Sequence, residues 1–150
     1  MTAEENRSLV LRFYELMSRQ EFEEMFALMA DDATWTVAGK PATFHHAGAH
    51  SKAQRAEELA GFVKVFSALH MDIRSTTAED DRVVVEAVTR CTTHHGLAYE
   101  NELLVLFRCR DAKIVGIYEH LDQQTALQFE RTLRESLARD IPQPATRGLS

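Results

Sequence analysis

Near its C-terminal third the chain reads GIYEHLD, residues 116–122, which sets Glu119, His120 and Asp122 within four positions of a segment that is otherwise strand-like. A carboxylate at the mouth of an apolar pocket is suited to general acid or base work, because burial raises its pKa toward neutrality. Strand side chains alternate, so Ile117, Glu119 and Leu121 share one face, and Tyr118, His120 and Asp122 the other. A second concentration of titratable groups is FHHAGAH, with His45, His46 and His50. Neutral imidazole is a good ligand for a divalent transition metal. The loop itself offers no Cys, Asp or Glu, so a solvent-exposed or rim loop is expected, with His50 as a polar contact at a cavity mouth. No metal or other cofactor is expected. Cys91 and Cys109 lack an evident activating base, and thiol catalysis has no support.

The elements that position these groups follow from periodicity and punctuation. Thr2 with Glu5, and Ser51 with Gln54, have the spacing of capping boxes. Leu9, Val10, Phe13, Leu16 and Met17 give a first helix; Phe22, Met25, Phe26 and Met29 give a shorter second, ending near Ala30. Leu59, Phe62, Val63 and Phe66 mark a third, beginning at Ser51. ATWTV reads as a short strand and the segment after it as loop. Strands are predicted at 71–77, 82–93, 98–109 and 114–122, joined by short turns as an antiparallel meander. A polar helix is predicted over 123–139, anchored by Leu133 and Leu137, then a frayed tail over 141–150. The two cysteines fall too far apart in this meander for a disulfide.

At 150 residues the chain is read as one domain, over 1–140. Its 45% hydrophobic and 27% charged residues are those of an ordinary globular protein. A net charge of −6 argues against nucleic-acid binding. No apolar stretch is long enough for a membrane span, and MTAEENRSLV lacks the layout of a signal peptide, so a cytoplasmic location is expected. A helical layer followed by a curved antiparallel sheet is an α+β architecture, and a sheet wrapped round helices encloses a conical cavity.

The element order, with FEEMFALMADDATW and YENELLVLFRCRDAKIVGIYEHLD, resembles the nuclear transport factor 2-like superfamily, in its SnoaL-like polyketide cyclase and ketosteroid isomerase branch. The resemblance implies a cone-shaped α+β barrel with three N-terminal helices packed on the sheet. The isomerases' tyrosine, aspartic acid and aspartate fall near Phe13, Leu104 and Val37, none of which exchanges a proton. The limonene-epoxide-hydrolase type keeps its arginine at Arg90, but its partners align with Thr92, Glu119, Trp35 and Val37. The cyclases use a carboxylate near the end of the sheet, where Glu119 and Asp122 stand. The resemblance also turns Ile117, Glu119 and Leu121 toward the cavity.

A hairpin centred between Asp111 and Ala112 would pair Glu119 with Leu104 and Leu121 with Glu102. A three-residue loop at His95-Gly96-Leu97 would set Arg90 opposite Glu102; a two-residue loop would reverse its face. The expected cavity is thus lined by Phe13, Trp35, Val37, Phe62, Phe66, Leu104, Leu106, Ile117 and Leu121. Glu119 is its main ionisable group, with Arg90 and Glu102 near the rim. The other face, with Tyr99, Asn101, Leu103, Val105, Phe107, Tyr118, His120 and Asp122, is the expected homodimer surface. Three functions stay open: a cofactor-independent cyclase, isomerase or lyase acting on a small apolar oxygenated molecule through Glu119, Arg90 or Asp122; a non-catalytic binder; and a structural subunit like those of ring-hydroxylating oxygenases.

Overall fold

The backbone changes direction where caps and turns are written into the sequence. In a computed structural model, which describes residues 1–140, Thr2 opens α1 (Ala3–Ser18). Its hydroxyl accepts from the Glu5 amide at 3.1 Å while Glu5 Oε2 accepts from the Thr2 amide at 2.7 Å. Ser51 and Gln54 repeat the arrangement at α3 (Lys52–Val65). The tail expected over 141–150 lies outside the described residues.

Between these helices α2 (Phe22–Ala27) is shorter than its apolar spacing suggests. Met29 continues the buried stripe as the first residue of β1 (Met29–Val37), paired with Ile114, and not as another helical turn. Residues read as loop include β2 (Gly48–Ser51), a short edge strand on β1 with none of the β-branched residues that betray strands. Then come β3 (Phe66–Glu79), β4 (Arg82–Thr93), β5 (Ala98–Arg110), β6 (Lys113–Leu121) and α4 (Gln123–Asp140).

The six strands form one curved sheet in the order β2-β1-β6-β5-β4-β3. The meander over β3–β6 is antiparallel as expected, but β1 joins β6 in parallel, so the sheet is mixed. Helices and curved sheet together make the α+β cone. Its core is the inner sheet face against α1: Val10, Phe13 and Leu16 meet Val83, Val85, Val105, Phe107 and Ile114, all fully or almost fully buried.

One irregularity decides which side chains face inward. The β5–β6 turn has Asp111 and Ala112 at φ 51° and 62°, the two left-handed residues of a tight hairpin turn, and Arg110 pairs with Lys113 as the sequence implies. Between Cys109↔Ile114 and Arg108↔Gly116, β6 carries one extra residue, Val115. This bulge moves Glu119 from Leu104 to Val105, and Leu121 from Glu102 to Leu103. The inner face of β5 is therefore Asn101, Leu103, Val105, Phe107 and Cys109, and not the alternate set.

Helix α4 starts at Asp122, whose carboxylate accepts from the Thr125 amide at 3.1 Å and the Thr125 hydroxyl at 2.7 Å. It packs beside the loop 38–47. Gln123 Nε2 donates to the Ala38 carbonyl at 2.5 Å, and Phe44 is buried with Val37, Ala47 and Ala126. Gly39, at φ +112°, lets this crossing happen: a Cβ there would sit 2.7 Å from Gln123 Nε2. Leu133 faces the interior of the cone, whereas Leu137, expected as an anchor, is exposed.

The corrected register has a measurable signature. Phe107→Ala, which empties a site packed edge-on against Phe13 and Tyr14, should cost about 3–5 kcal/mol in urea unfolding. Glu102→Ala, on the outer face, should stay within about 0.5 kcal/mol of wild type.

Candidate functional site

The wide end of the cone holds a cavity of about 460 Å3, within the range of small-molecule sites. Its sheet wall is Thr89, Cys91, Tyr99, Leu103, Glu119 and Leu121; Trp35 and Val37 of β1 close one side. Helix α3 adds Leu59 and Phe62, and α4 adds Phe129, Glu130 and Leu133. The aromatic rings pack on one another: Phe62 and Phe66 stack at 4.2 Å, Phe66 lies 5.8 Å from Phe129, and Phe129 lies 4.7 Å from Tyr99. The wall is mostly apolar.

Glu119 is the carboxylate set into that wall from the sheet. The surface it retains faces the cavity. Trp35 Nε1 donates to its Oε2 at 3.3 Å. Burial pushes its pKa above the ordinary carboxylate value, and the Trp35 hydrogen bond and the positive charge of Arg55 offset this only in part. Burial, and the charge of Glu119, likewise hold the Tyr14 phenol well above its usual value. Burial takes Tyr99 to about 12 and the Cys91 thiol to about 11. At neutral pH both are neutral, and Cys91 is a poor nucleophile.

Arg55 is the buried cation of the site, 5% exposed. Its Nε and Nη2 donate to the Trp35 carbonyl at 3.2 and 3.1 Å, Nη2 also to Gly48 at 3.3 Å, and Nη1 to Glu58 Oε2 at 2.6 Å. Glu58 in turn holds His50 Nδ1 at 2.7 Å through its other oxygen. A line of charged and polar groups thus runs from His50 through Glu58 and Arg55 toward Glu119.

Of the residues expected to line the cavity, Trp35, Val37, Phe62, Phe66, Glu119 and Leu121 do so. Phe13 and Ile117 are buried one layer deeper: Phe13 packs against Tyr14, Trp35 and Phe107. Glu102, Leu104 and Leu106 are on the opposite side of the sheet, turned there by the Val115 bulge, and Leu104 is 52% exposed. Tyr99, Asn101, Leu103, Val105 and Phe107 make the reverse exchange and leave the expected dimer face for the interior.

Arg90 also faces outward. Its partner in β5 is Glu100, not Glu102, and it pairs with Glu100 at 3.2 Å and Asp72 at 2.8 Å on the outer surface. It reaches neither the cavity nor Glu119. Asp122 is the cap of α4, its carboxyl held below the usual range by the Thr125 hydrogen bonds. It belongs to the fold and not to the cavity wall. His50 stands behind Glu58, outside the lining.

Arg55, Tyr99, Thr89 and the α4 residues were not anticipated. Arg55 had a readable signal, because it precedes Leu59 by four residues and Phe62 by seven, on the inward stripe of α3. Gly116 is the corresponding mark of the bulge, since glycine inside a strand often sits at one. Glu130 had none: it lies 84 residues beyond His46, yet its Oε1 is 2.5 Å from His46 Nε2, and its Oε2 is 2.8 Å from His45 Nε2.

A cone of this build, its cavity between curved sheet and helices, defines a nuclear transport factor 2-like protein. The chain belongs to the SnoaL-like domain family, which matches residues 10–117. No curated protein matches the sequence. Among solved structures, PrhC from Penicillium brasilianum is similar with a TM-score of 0.82 and 19% identity, over 92% of this chain and 93% of that one. An NTF2-like protein of unknown function from Burkholderia pseudomallei is similar at 0.70 and 19%, over 87% and 97%. TerC, co-crystallised with polyporic acid, is similar at 0.70 and 20%, over 87% and 98%.

The raised pKa of Glu119 has a thermodynamic consequence of definite sign. The folded protein holds this proton more tightly than the unfolded chain, so its contribution is fully present below the ordinary carboxylate value of 4.5 and is lost as pH rises through the folded value. Glu119→Gln keeps the neutral form at every pH. Its melting temperature should match wild type near pH 4 and move above it progressively toward neutral pH. Parallel melts of the two proteins check this, since the phenols that feel the charge of Glu119, Tyr14 and Tyr99, stay neutral across this pH range in both.

Proposed function

We propose that the cavity binds a small, mainly apolar, oxygenated molecule and that Glu119 exchanges a proton with it. The reaction class is that of a cofactor-independent cyclase, isomerase or lyase. The observation that supports this reading is a carboxylate with a raised pKa, anchored by one oxygen to Trp35, on the wall of a cavity that is otherwise mostly apolar. Glu119 Oε1 is then available to a ligand. In its protonated form Glu119 donates to a carbonyl or hydroxyl oxygen; once ionised, it takes a proton from carbon or oxygen. Arg55 does not touch the substrate in this scheme; it positions Trp35 and limits how far the pKa of Glu119 rises. A SnoaL-like chain with no acid or base in its cavity would have only binding to offer.

The test is turnover and binding measured together against lactone, terpenoid, steroid and polyketide-like compounds. Glu119→Gln should lower the rate by about 10²–10⁴-fold while changing ligand affinity little. Binding to both proteins with product from neither would identify a non-catalytic module and refute the proton-transfer role.

We further propose that the outer sheet face pairs two copies of the chain. Leu104 and Tyr118 are 52% and 45% exposed there, beside Leu106 and His120. Large apolar side chains grouped on one face favour burial against a partner. Light scattering should give a dimer mass for the wild type and a monomer for Leu104→Glu. A wild-type monomer at micromolar concentration would exclude the dimer.

A further inference from the structure

At the rim of the cavity the loop 38–47 meets α4, and a second set of ligand-type side chains converges. His45 Nε2 lies 2.8 Å from Glu130 Oε2 and His46 Nε2 2.5 Å from Glu130 Oε1. One ligand atom from each of the three residues lies within 4.8 Å of the others. The two imidazole rings lie 3.9 Å apart between centroids and are tilted by 41° to each other. Neighbouring histidines are not placed this way by strand alternation; both are turned to the same carboxylate, from an element far along the chain.

The arrangement is held in place from behind. Phe44, 2% exposed, anchors the loop and meets the edge of His46 at 5.3 Å between ring centroids. Gln123 fastens the start of the loop to the start of α4. A tetrahedral ion with bonds of about 2.0–2.2 Å has ligand atoms roughly 3.4 Å apart. Opening the present contacts by about 1 Å or less would admit one, a movement within rotamer adjustment of exposed imidazoles. Two imidazoles and a carboxylate suit zinc or cobalt; calcium and magnesium prefer all-oxygen sets.

We propose that His45, His46 and Glu130 bind one divalent transition-metal ion of the zinc or cobalt type at the rim of the cavity. Each histidine then offers its Nε2 lone pair, with its hydrogen on Nδ1, and Glu130 offers a carboxylate oxygen. Three protein ligands leave a coordination position open, the pattern of catalytic and not of structural zinc sites. Because His46 and Glu130 line the cavity, that position adjoins the space a ligand would occupy. Water or an oxygen of the bound molecule would fill it. This site is independent of the proton-transfer role of Glu119.

The experiment uses full-length protein without a polyhistidine tag, titrated with Co2+ while the visible d–d absorption is followed, and with Zn2+ by equilibrium dialysis. The expected result is saturation at one ion per chain. Glu130→Gln and His46→Ala should each weaken binding by about tenfold or more, as loss of a direct ligand exceeds the typical effect of an outer one. His50→Ala and Glu119→Gln should bind the metal as the wild type does. Failure of the wild type to saturate at one equivalent overturns the proposal, whatever the variants do. So does metal affinity unchanged in both Glu130→Gln and His46→Ala, or lost equally in His50→Ala or Glu119→Gln.

Discussion

The guanidinium of Arg55 is the fixture on which the wide end of the cone depends. A buried cation is costly unless its donors are satisfied, and this one is satisfied by backbone carbonyls of Trp35 and Gly48 and by the carboxylate of Glu58. Those partners belong to β1, β2 and α3. One side chain therefore sets the spacing between the edge of the sheet and the helix that covers it. The same charge acts on Glu119, opposing the desolvation that raises its pKa. Geometry and electrostatics at the cavity share a source: removing the guanidinium would both loosen the wall and leave Glu119 harder to ionise.

The two faces of the sheet manage charge in different ways. Outside, Asp72, Arg74, Arg90 and Glu100 form a bridged row across β3, β4 and β5. Such exposed pairs contribute little to stability, because solvent screens them. Inside, ionisable groups on the cavity wall are few, and each meets a specific partner: Glu119 with Trp35, Arg55 with Glu58. In a low-dielectric surrounding these few have far more influence on one another. Composition does not separate the two cases; the direction in which a side chain points does.

That direction also marks the limit of what the sequence disclosed. The caps at Thr2 and Ser51, the meander and the turn at Asp111-Ala112 were legible because each depends on residues close together in the chain. Trp35, Phe62 and Glu119 were legible as cavity residues because the stretches that carry them, 34–37 of β1, α3 and 116–121 of β6, are regular. The error over β5 arose from one extra residue, Val115, whose effect on facing extends along the whole hairpin. Arg90 was misplaced by the same inversion: it shares the face of Glu100 and Glu102, and that face turned outward with β5. The meeting of Glu130 with His45 and His46 rests on the path of a helix across a loop, which no local pattern encodes.

The Val115 bulge bears on how relatives of this protein are to be compared. A relative of equal hairpin length but with an unbulged ladder, aligned on the residue at Glu119, would present at each column of β5 a residue of the opposite side. At 18–21% identity an ungapped alignment of two such hairpins is acceptable and yet equates cavity with surface throughout the strand. Cavity composition in this family is therefore a property to be read from superposed strands. A change of ladder at constant hairpin length is thus enough to exchange half of a binding wall.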